Sequence, residues 1–95
     1  MEDKLTKEGW QGFLRLCSKL KSAEEFDRFL NLFLTFEEKE MLAGRFLIVK
    51  ALHEEKLTQR EIADQLGVSI SQITRGSNAL KIIDAPLKKV LEKLL

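Results

Sequence analysis

Four short motifs with Ser or Thr followed three residues later by Glu or Gln are spaced along the chain, and each is typical of a helix start. They are Ser22 with Glu25, Thr35 with Glu38, Thr58 with Glu61, and Ser69 with Gln72. In such a capping box the hydroxyl and the third side chain accept hydrogen bonds from each other's backbone amides. Four helix starts in 95 residues favour an all-α fold.

Apolar residues recur at helical spacing around these starts and predict two more helices. One runs from about Leu5 to Lys21, and the last begins after Asp84, where Pro86 is tolerated in the first turn. No low-complexity linker or internal repeat interrupts the chain. The sequence therefore predicts one domain over residues 1–95, with six helices and no strand.

The first, second and last helices carry more apolar surface than the two short helices between Thr58 and Leu80 can cover. An intertwined two-fold homodimer is the commonest closed arrangement that buries such faces. A compact six-helix monomer is the alternative.

Composition excludes several classes of protein. The formal net charge is +1, with −2 over residues 1–44 and +2 over 45–81, so any contact with nucleic acid is local. No apolar run approaches the ~20 residues of a membrane span. The N-terminus lacks a signal-peptide pattern, and Cys17 has no second cysteine to pair with. We expect a soluble, cytoplasmic protein with no membrane contact.

Catalytic apparatus is absent from the sequence. His53 is the only histidine and Cys17 the only thiol, and no group of residues has metal-ligand spacing. His53 is explained by its favourable position near a helix C-terminus. We predict that the protein is not an enzyme and has neither a metal nor a cofactor.

Residues 58–81 have the layout of a helix-turn-helix. Leu57 and Ile62 stand at staple positions around the Thr58 cap, Ala63 is small where a second helix crosses, and Gly67 falls where a left-handed residue ends the first helix. Polar residues follow the Ser69 cap, where a recognition helix meets the major groove. A plain helical hairpin with no DNA role remains the alternative.

Two stretches carry a resemblance to a known family. "LNLFLTFEEKEMLAGRFLIVKAL", followed by "LTQREIADQLGVSISQITRGSNALK", resembles the bacterial tryptophan repressor family, and the likeness extends from about Trp10 onward. It implies an intertwined homodimer that binds operator DNA of tryptophan-related genes only when L-tryptophan, as corepressor, occupies two equivalent pockets.

The resemblance also implies a role for each ligand-binding residue. Arg45 and Arg75 would cover the two faces of the indole, and Arg75 would reach the carboxylate. Carbonyls of Leu32 and Leu34 from the other subunit would hold the ammonium. The remaining residues of this pocket are Thr35 at the carboxylate end, Val49, Gly76 and Ala79.

Gly76 and Ala79 are the most informative of these positions. Gly76 interrupts "ITRGSNAL", a stretch of weak helix formers. The resemblance implies that its missing side chain leaves a slot for the indole, whereas close packing of helices is the alternative reason for a helical glycine. Ala79 stands where the family usually has a serine that helps hold the ammonium, so selectivity against indole acids without an amino group is less secure.

For DNA, the resemblance and groove chemistry agree. Arg60 would contact guanine, while Ile70, Ser71 and Thr74 would reach base edges, often through water. Gln59, Asn78 and Lys81 would hold phosphates, and Gln72 completes the predicted DNA-binding set. Two alternatives stay open: a ligand-independent helix-turn-helix module, as in replication initiators, and a helical adaptor that does not bind DNA.

Overall fold

The computed structural model describes residues 3–95, so Met1 and Glu2 of the predicted domain lie outside the described residues. The helices are α1 Lys4–Cys17, α2 Ala23–Phe33, α3 Phe36–Glu54, α4 Gln59–Leu66, α5 Ile70–Ile82 and α6 Ala85–Leu94. Residues 3–95 contain six helices and no strand. The predicted all-α class is therefore confirmed.

The two capping boxes at the starts of α4 and α5 form completely. The Glu61 amide donates to Thr58 Oγ1 at 3.1 Å, and the Thr58 amide donates to Glu61 Oε1 at 2.9 Å. At α5 the Gln72 amide donates to Ser69 Oγ at 3.3 Å, and the Ser69 amide donates to Gln72 Oε1 at 3.1 Å. These reciprocal bonds satisfy amides that lack an intrahelical partner, as the sequence predicts.

The start of α2 departs from the predicted capping box. The Glu25 amide donates to Ser22 Oγ at 3.1 Å, but Glu25 Oε1 accepts from the Lys21 amide at 3.2 Å. The box is therefore replaced by a single cap and a bond to the preceding residue. At α6 the cap forms as expected, because Asp84 Oδ1 accepts from the Leu87 amide at 2.8 Å.

The prediction for the end of the first helix is wrong. α1 ends at Cys17 and not near Lys21. The Ser18 hydroxyl donates to the Arg15 carbonyl at 2.7 Å, and the Leu20 amide donates to the Cys17 carbonyl at 3.1 Å. The backbone thus tightens into a turn before the Ser22 cap.

Gly67 separates α4 from α5 with φ 66° and ψ 36°, the left-handed conformation predicted for it. A residue with a Cβ is strained in this region, and glycine is not. The Val68 amide donates back to the Ala63 carbonyl at 3.1 Å. The reversal leaves only two residues, Val68 and Ser69, before α5 begins.

The chain divides into two compact units, one ending at Thr35 and the other spanning Phe36–Leu95. In the first unit, α1 and α2 meet through an aromatic cluster. Its ring centroids lie between 4.9 and 5.8 Å apart, and its members are Trp10, Phe13, Phe29 and Phe33.

In the second unit, α3, α4 and α5 pack on one another around a small buried core. Its members are Ile48, Ile62, Ala63 and Ile73. The sequence predicts Ala63 as the small residue where a second helix crosses, and the structure buries it in this core. This core fixes α5 against α3 and thereby positions the residues described next.

Candidate ligand cavity and nucleic-acid face

A cavity of about 510 Å³ lies within the second unit, between α3 and α5. The α3 wall consists of Glu40, Met41, Gly44, Arg45, Ile48 and Val49. The α5 side consists of Gln72, Arg75, Gly76 and Ala79, with Val68 from the preceding turn.

Helical periodicity explains why these residues share one space. On α5, positions 72, 75, 76 and 79 recur at intervals of three and four, and positions 41, 44, 45, 48 and 49 do so on α3. Residues at such intervals lie on one face of a helix. Two stripes, one on each helix, therefore line the cavity.

At Gly76, the backbone of α5 lies close to side chains of α3. A Cβ placed on Gly76 would lie 2.9 Å from Ile48 Cγ2 and 3.3 Å from Leu52 Cδ1. Since real Cβ atoms do not approach neighbours at 2.9 Å, glycine allows this separation of the two helices. Gly76 therefore serves helix packing, and it also lies on the cavity wall.

Three charged side chains line the cavity: Arg45, Arg75 and Glu40. Within residues 3–95, none of the three takes part in a side-chain hydrogen bond or ion pair. Each guanidinium is planar and carries a fork of donors, which suits stacking on an aromatic ring and pairing with a carboxylate. The wall therefore offers two unpaired cations and one carboxylate beside an apolar surface.

The structure brings together five of the eight residues predicted for the ligand, namely Arg45, Val49, Arg75, Gly76 and Ala79. Leu32, Leu34 and Thr35 belong to the first unit and do not line this cavity.

Sequence reasoning missed several residues of the cavity wall. Glu40, Met41, Gly44, Ile48 and Val68 were not assigned to the ligand, and Gln72 was assigned to DNA alone. Helical spacing from Arg45 and Val49 on α3 would have pointed to Met41 and Ile48.

All eight predicted DNA-binding residues are exposed: Gln59, Arg60, Ile70, Ser71, Gln72, Thr74, Asn78 and Lys81. Ser71, Thr74 and Asn78 recur at helical spacing on a stripe of α5 that does not line the cavity. Two hydroxyls have local partners, since Thr74 Oγ1 donates to the Ile70 carbonyl at 3.1 Å and Ser71 Oγ lies 3.1 Å from Ser69 Oγ.

Lys81 continues this stripe, three residues after Asn78 on α5. It lines a separate cavity with His53 and Lys88, formed by the end of α3, α5 and α6. His53 lies in the last turn of α3, as predicted. Residues 3–95 contain no cluster of three or more side chains suited to bind a metal ion, and none of their helices has the length and apolar content needed to span a bilayer.

Comparison with known proteins identifies the family. The family model described as "Trp repressor protein" matches residues 8–95. The "Trp operon repressor homolog" of Chlamydia caviae is 58% identical over 94 residues, which cover 99% of this chain and 93% of the relative.

Two further relatives carry the same name. The protein of Chlamydia trachomatis serovar D is 53% identical over 85 residues, covering 90% of each chain. The protein of Vibrio cholerae is 40% identical over 86 residues, covering 90% of this chain and 84% of the relative. The chain thus belongs to the Trp repressor family, whose members are transcription regulators and not enzymes.

Proposed function

We propose that this protein is an L-tryptophan-dependent transcriptional repressor that acts in the cytoplasm and binds operator DNA of tryptophan-related genes as an intertwined homodimer. The observation that carries the proposal is the double role of α5. One of its stripes, with Arg75, Gly76 and Ala79, lines the cavity, while Ser71 and Thr74 lie exposed on another. A ligand in the cavity therefore acts directly on the helix that would read DNA.

The cavity suits a flat aromatic amino acid. Arg45 and Arg75 stand on its two helical walls, and their planes would cover the faces of an indole while Arg75 pairs with the carboxylate. Its volume of about 510 Å³ lies in the range of small-molecule sites. Val49 and Ile48 add apolar contacts for the ring.

Acceptors for the ammonium would come from the end of α2 in the partner subunit. Leu32 lies in the last turn of α2, and Leu34 is its C-cap in extended conformation. The last four carbonyls of a helix have no intrahelical donor and remain available to other groups. We assign the carbonyls of Leu32 and Leu34 to the ligand's ammonium and Thr35 to the carboxylate end of the same pocket.

In this proposal α4 and α5 are a DNA-binding helix-turn-helix. Arg60 contacts guanine, while Ile70, Ser71, Gln72 and Thr74 face base edges directly or through water. Gln59, Asn78 and Lys81 bind phosphates and set the register. Tryptophan would hold the two recognition helices of the dimer about one DNA turn apart, ~34 Å.

Exposed apolar side chains on both units support the homodimer. Trp10 of the first unit is 58% exposed, and Phe46 and Leu94 of the second are 53% and 75% exposed. A monomer seldom leaves so many large apolar groups in water. A second copy of the chain would cover these side chains. In this proposal, residues 1–95 of each chain form a single domain.

Calorimetric titration of the purified protein with L-tryptophan tests the proposal. We expect saturation at one tryptophan per chain, with weaker binding of indole-3-propionate, which lacks the amino group. No heat with either ligand would contradict the proposal and favour a helix-turn-helix that binds DNA unaided.

DNA titrations with and without tryptophan distinguish the remaining alternatives. The repressor binds DNA in a salt-sensitive manner only when tryptophan is present. A ligand-independent module binds in both conditions, and a helical adaptor binds in neither.

A further inference from the structure

We propose that Glu40 is the side chain by which this protein distinguishes an amino acid from an indole acid that has no amino group. The inference rests on the proposed function and adds a specificity-determining residue to it. It follows from the hydrogen-bond acceptors available on the cavity wall.

The cations of the cavity cannot provide this discrimination. Arg45 and Arg75 are unpaired among the described residues and face the same space. They attract a carboxylate whether or not the ligand also has an ammonium, and the ammonium itself is repelled by both. The carbonyls assigned to the ammonium are neutral, so a negatively charged acceptor on the cavity wall would offset this repulsion more strongly.

Few side chains on the wall can accept a hydrogen bond. Ala79, Met41, Val49 and the other apolar residues lack a suitable oxygen, and arginine has donors only. Gln72 Oε1 already accepts from the Ser69 amide at 3.1 Å, as part of the α5 capping box. Among the described residues that line the cavity, Glu40 has the one side-chain oxygen pair without a partner.

Charge makes Glu40 a stronger determinant than a neutral acceptor. Bonds between an ammonium and a carboxylate are roughly twice as strong as those between neutral groups. Glu40 on α3 and Arg75 on α5 line the same cavity, so the ammonium and the carboxylate of one ligand would meet groups of opposite sign. Backbone carbonyls of the partner subunit orient the ammonium, and Glu40 supplies the charge that an indole acid does not use.

The test compares the full-length protein and its Glu40→Gln variant in calorimetric titrations with L-tryptophan and indole-3-propionate. Glutamine keeps the size and helix propensity of glutamate. We expect tryptophan to bind about tenfold more weakly to the variant, by analogy with other lost charge-assisted bonds. Indole-3-propionate should bind equally well or more tightly.

Glu54→Gln is the matched control, because Glu54 lies on the same helix but not on the cavity wall. It should leave both affinities unchanged. A Glu40→Gln variant whose affinity ratio for the two ligands equals that of the unaltered protein overturns the role of Glu40 alone. Failure of the unaltered protein to bind tryptophan overturns the proposed function, and the Glu40 assignment with it.

Discussion

Gly76 shows how one residue can meet two requirements. Its backbone lies close enough to α3 that an added Cβ would meet Ile48 at 2.9 Å, and the same residue lies on the cavity wall. The two explanations offered by the sequence, ligand space and helix packing, are therefore not exclusive. The shape of the cavity depends on the close approach of α5 to α3 at this position.

Gly76→Ala should destabilise the fold despite improving helix propensity. Ile48 is buried and β-branched, so its Cγ2 methyl moves only with the whole side chain. We expect a cost of about 1–3 kcal/mol for overpacking, offset in part by about 1 kcal/mol from the loss of glycine. Urea denaturation at fixed protein concentration measures the difference.

Gly44→Ala is the control for this substitution. Gly44 also lies within a helix and on the cavity wall, but nothing is within 4 Å of a Cβ placed there. We expect a gain of up to about 1 kcal/mol in the free energy of unfolding. If both variants were stabilised equally, the Gly76 contact would not limit the approach of α5 to α3.

The residues of the site differ in how far the sequence predicts them. Arg45, Val49 and Gly76 were assigned through a family resemblance, and the cavity contains them. Glu40 was missed because an exposed glutamate on a helix carries no pattern of its own, and its significance depends on which other oxygens of the wall are already bonded. The roles of Leu32 and Leu34 require a second chain and stay predictions.

At the scale of elements, the two capping boxes share one geometry but differ in charge. The box at α4 uses Glu61, and the box at α5 uses Gln72. The backbone amide and the hydroxyl of Thr58 lower the pKa of Glu61 below its ordinary value of 4.5. Because the folded state favours the charged form of Glu61, this carboxylate stabilises the fold above pH 4.5. The contribution is lost as the pH falls through the lowered pKa.

Replacing Glu61 by glutamine, or Gln72 by glutamate, should change in opposite directions how steeply the stability of the fold falls in acid. Glu61→Gln keeps an acceptor oxygen but removes the titrating group, so the loss of stability in acid should become shallower. Gln72→Glu should make it steeper. Thermal unfolding between pH 3 and 7 measures both. Asp3, whose pKa is lowered chiefly by the Thr6 backbone amide, is present in both variants and serves as a constant background.

A change of the same sign in both variants would contradict this account of the capping boxes.

The boxes themselves were predictable because they depend on four adjacent residues and a local bond pattern. The end of α1 was not, because apolar periodicity continues to Leu20 although the Ser18 hydroxyl turns the backbone at Cys17. The end of α1 thus depends on a local side-chain hydrogen bond, which the spacing of apolar residues does not indicate.

At the scale of the whole molecule, the small core supports the proposed homodimer. Only Ile48, Ile62, Ala63 and Ile73 form the buried apolar core among the described residues. Ile48 faces α5, whereas Phe46 lies two residues earlier, about 200° around a helix of 3.6 residues per turn, and is 53% exposed. α3 therefore has one covered face and one that a second copy would cover.

Phe46→Glu should consequently weaken the homodimer while leaving the helices formed. A charge on this face would have to be desolvated in an apolar interface. In sedimentation equilibrium, we expect the variant to have the mass of one chain at concentrations where the unaltered protein has the mass of two. The melting temperature of a dimer also rises with protein concentration, and this dependence should diminish in the variant.

Ile70→Glu provides the matched control, since Ile70 is 46% exposed but lies in the predicted DNA-binding set. It introduces the same charge at a similar exposure, so a general effect of charge would alter the mass of both variants. We expect Ile70→Glu to keep the mass of two chains and to lose affinity for DNA. A dimeric Phe46→Glu protein would exclude this face of α3 from the interface and assign its exposed apolar surface another role.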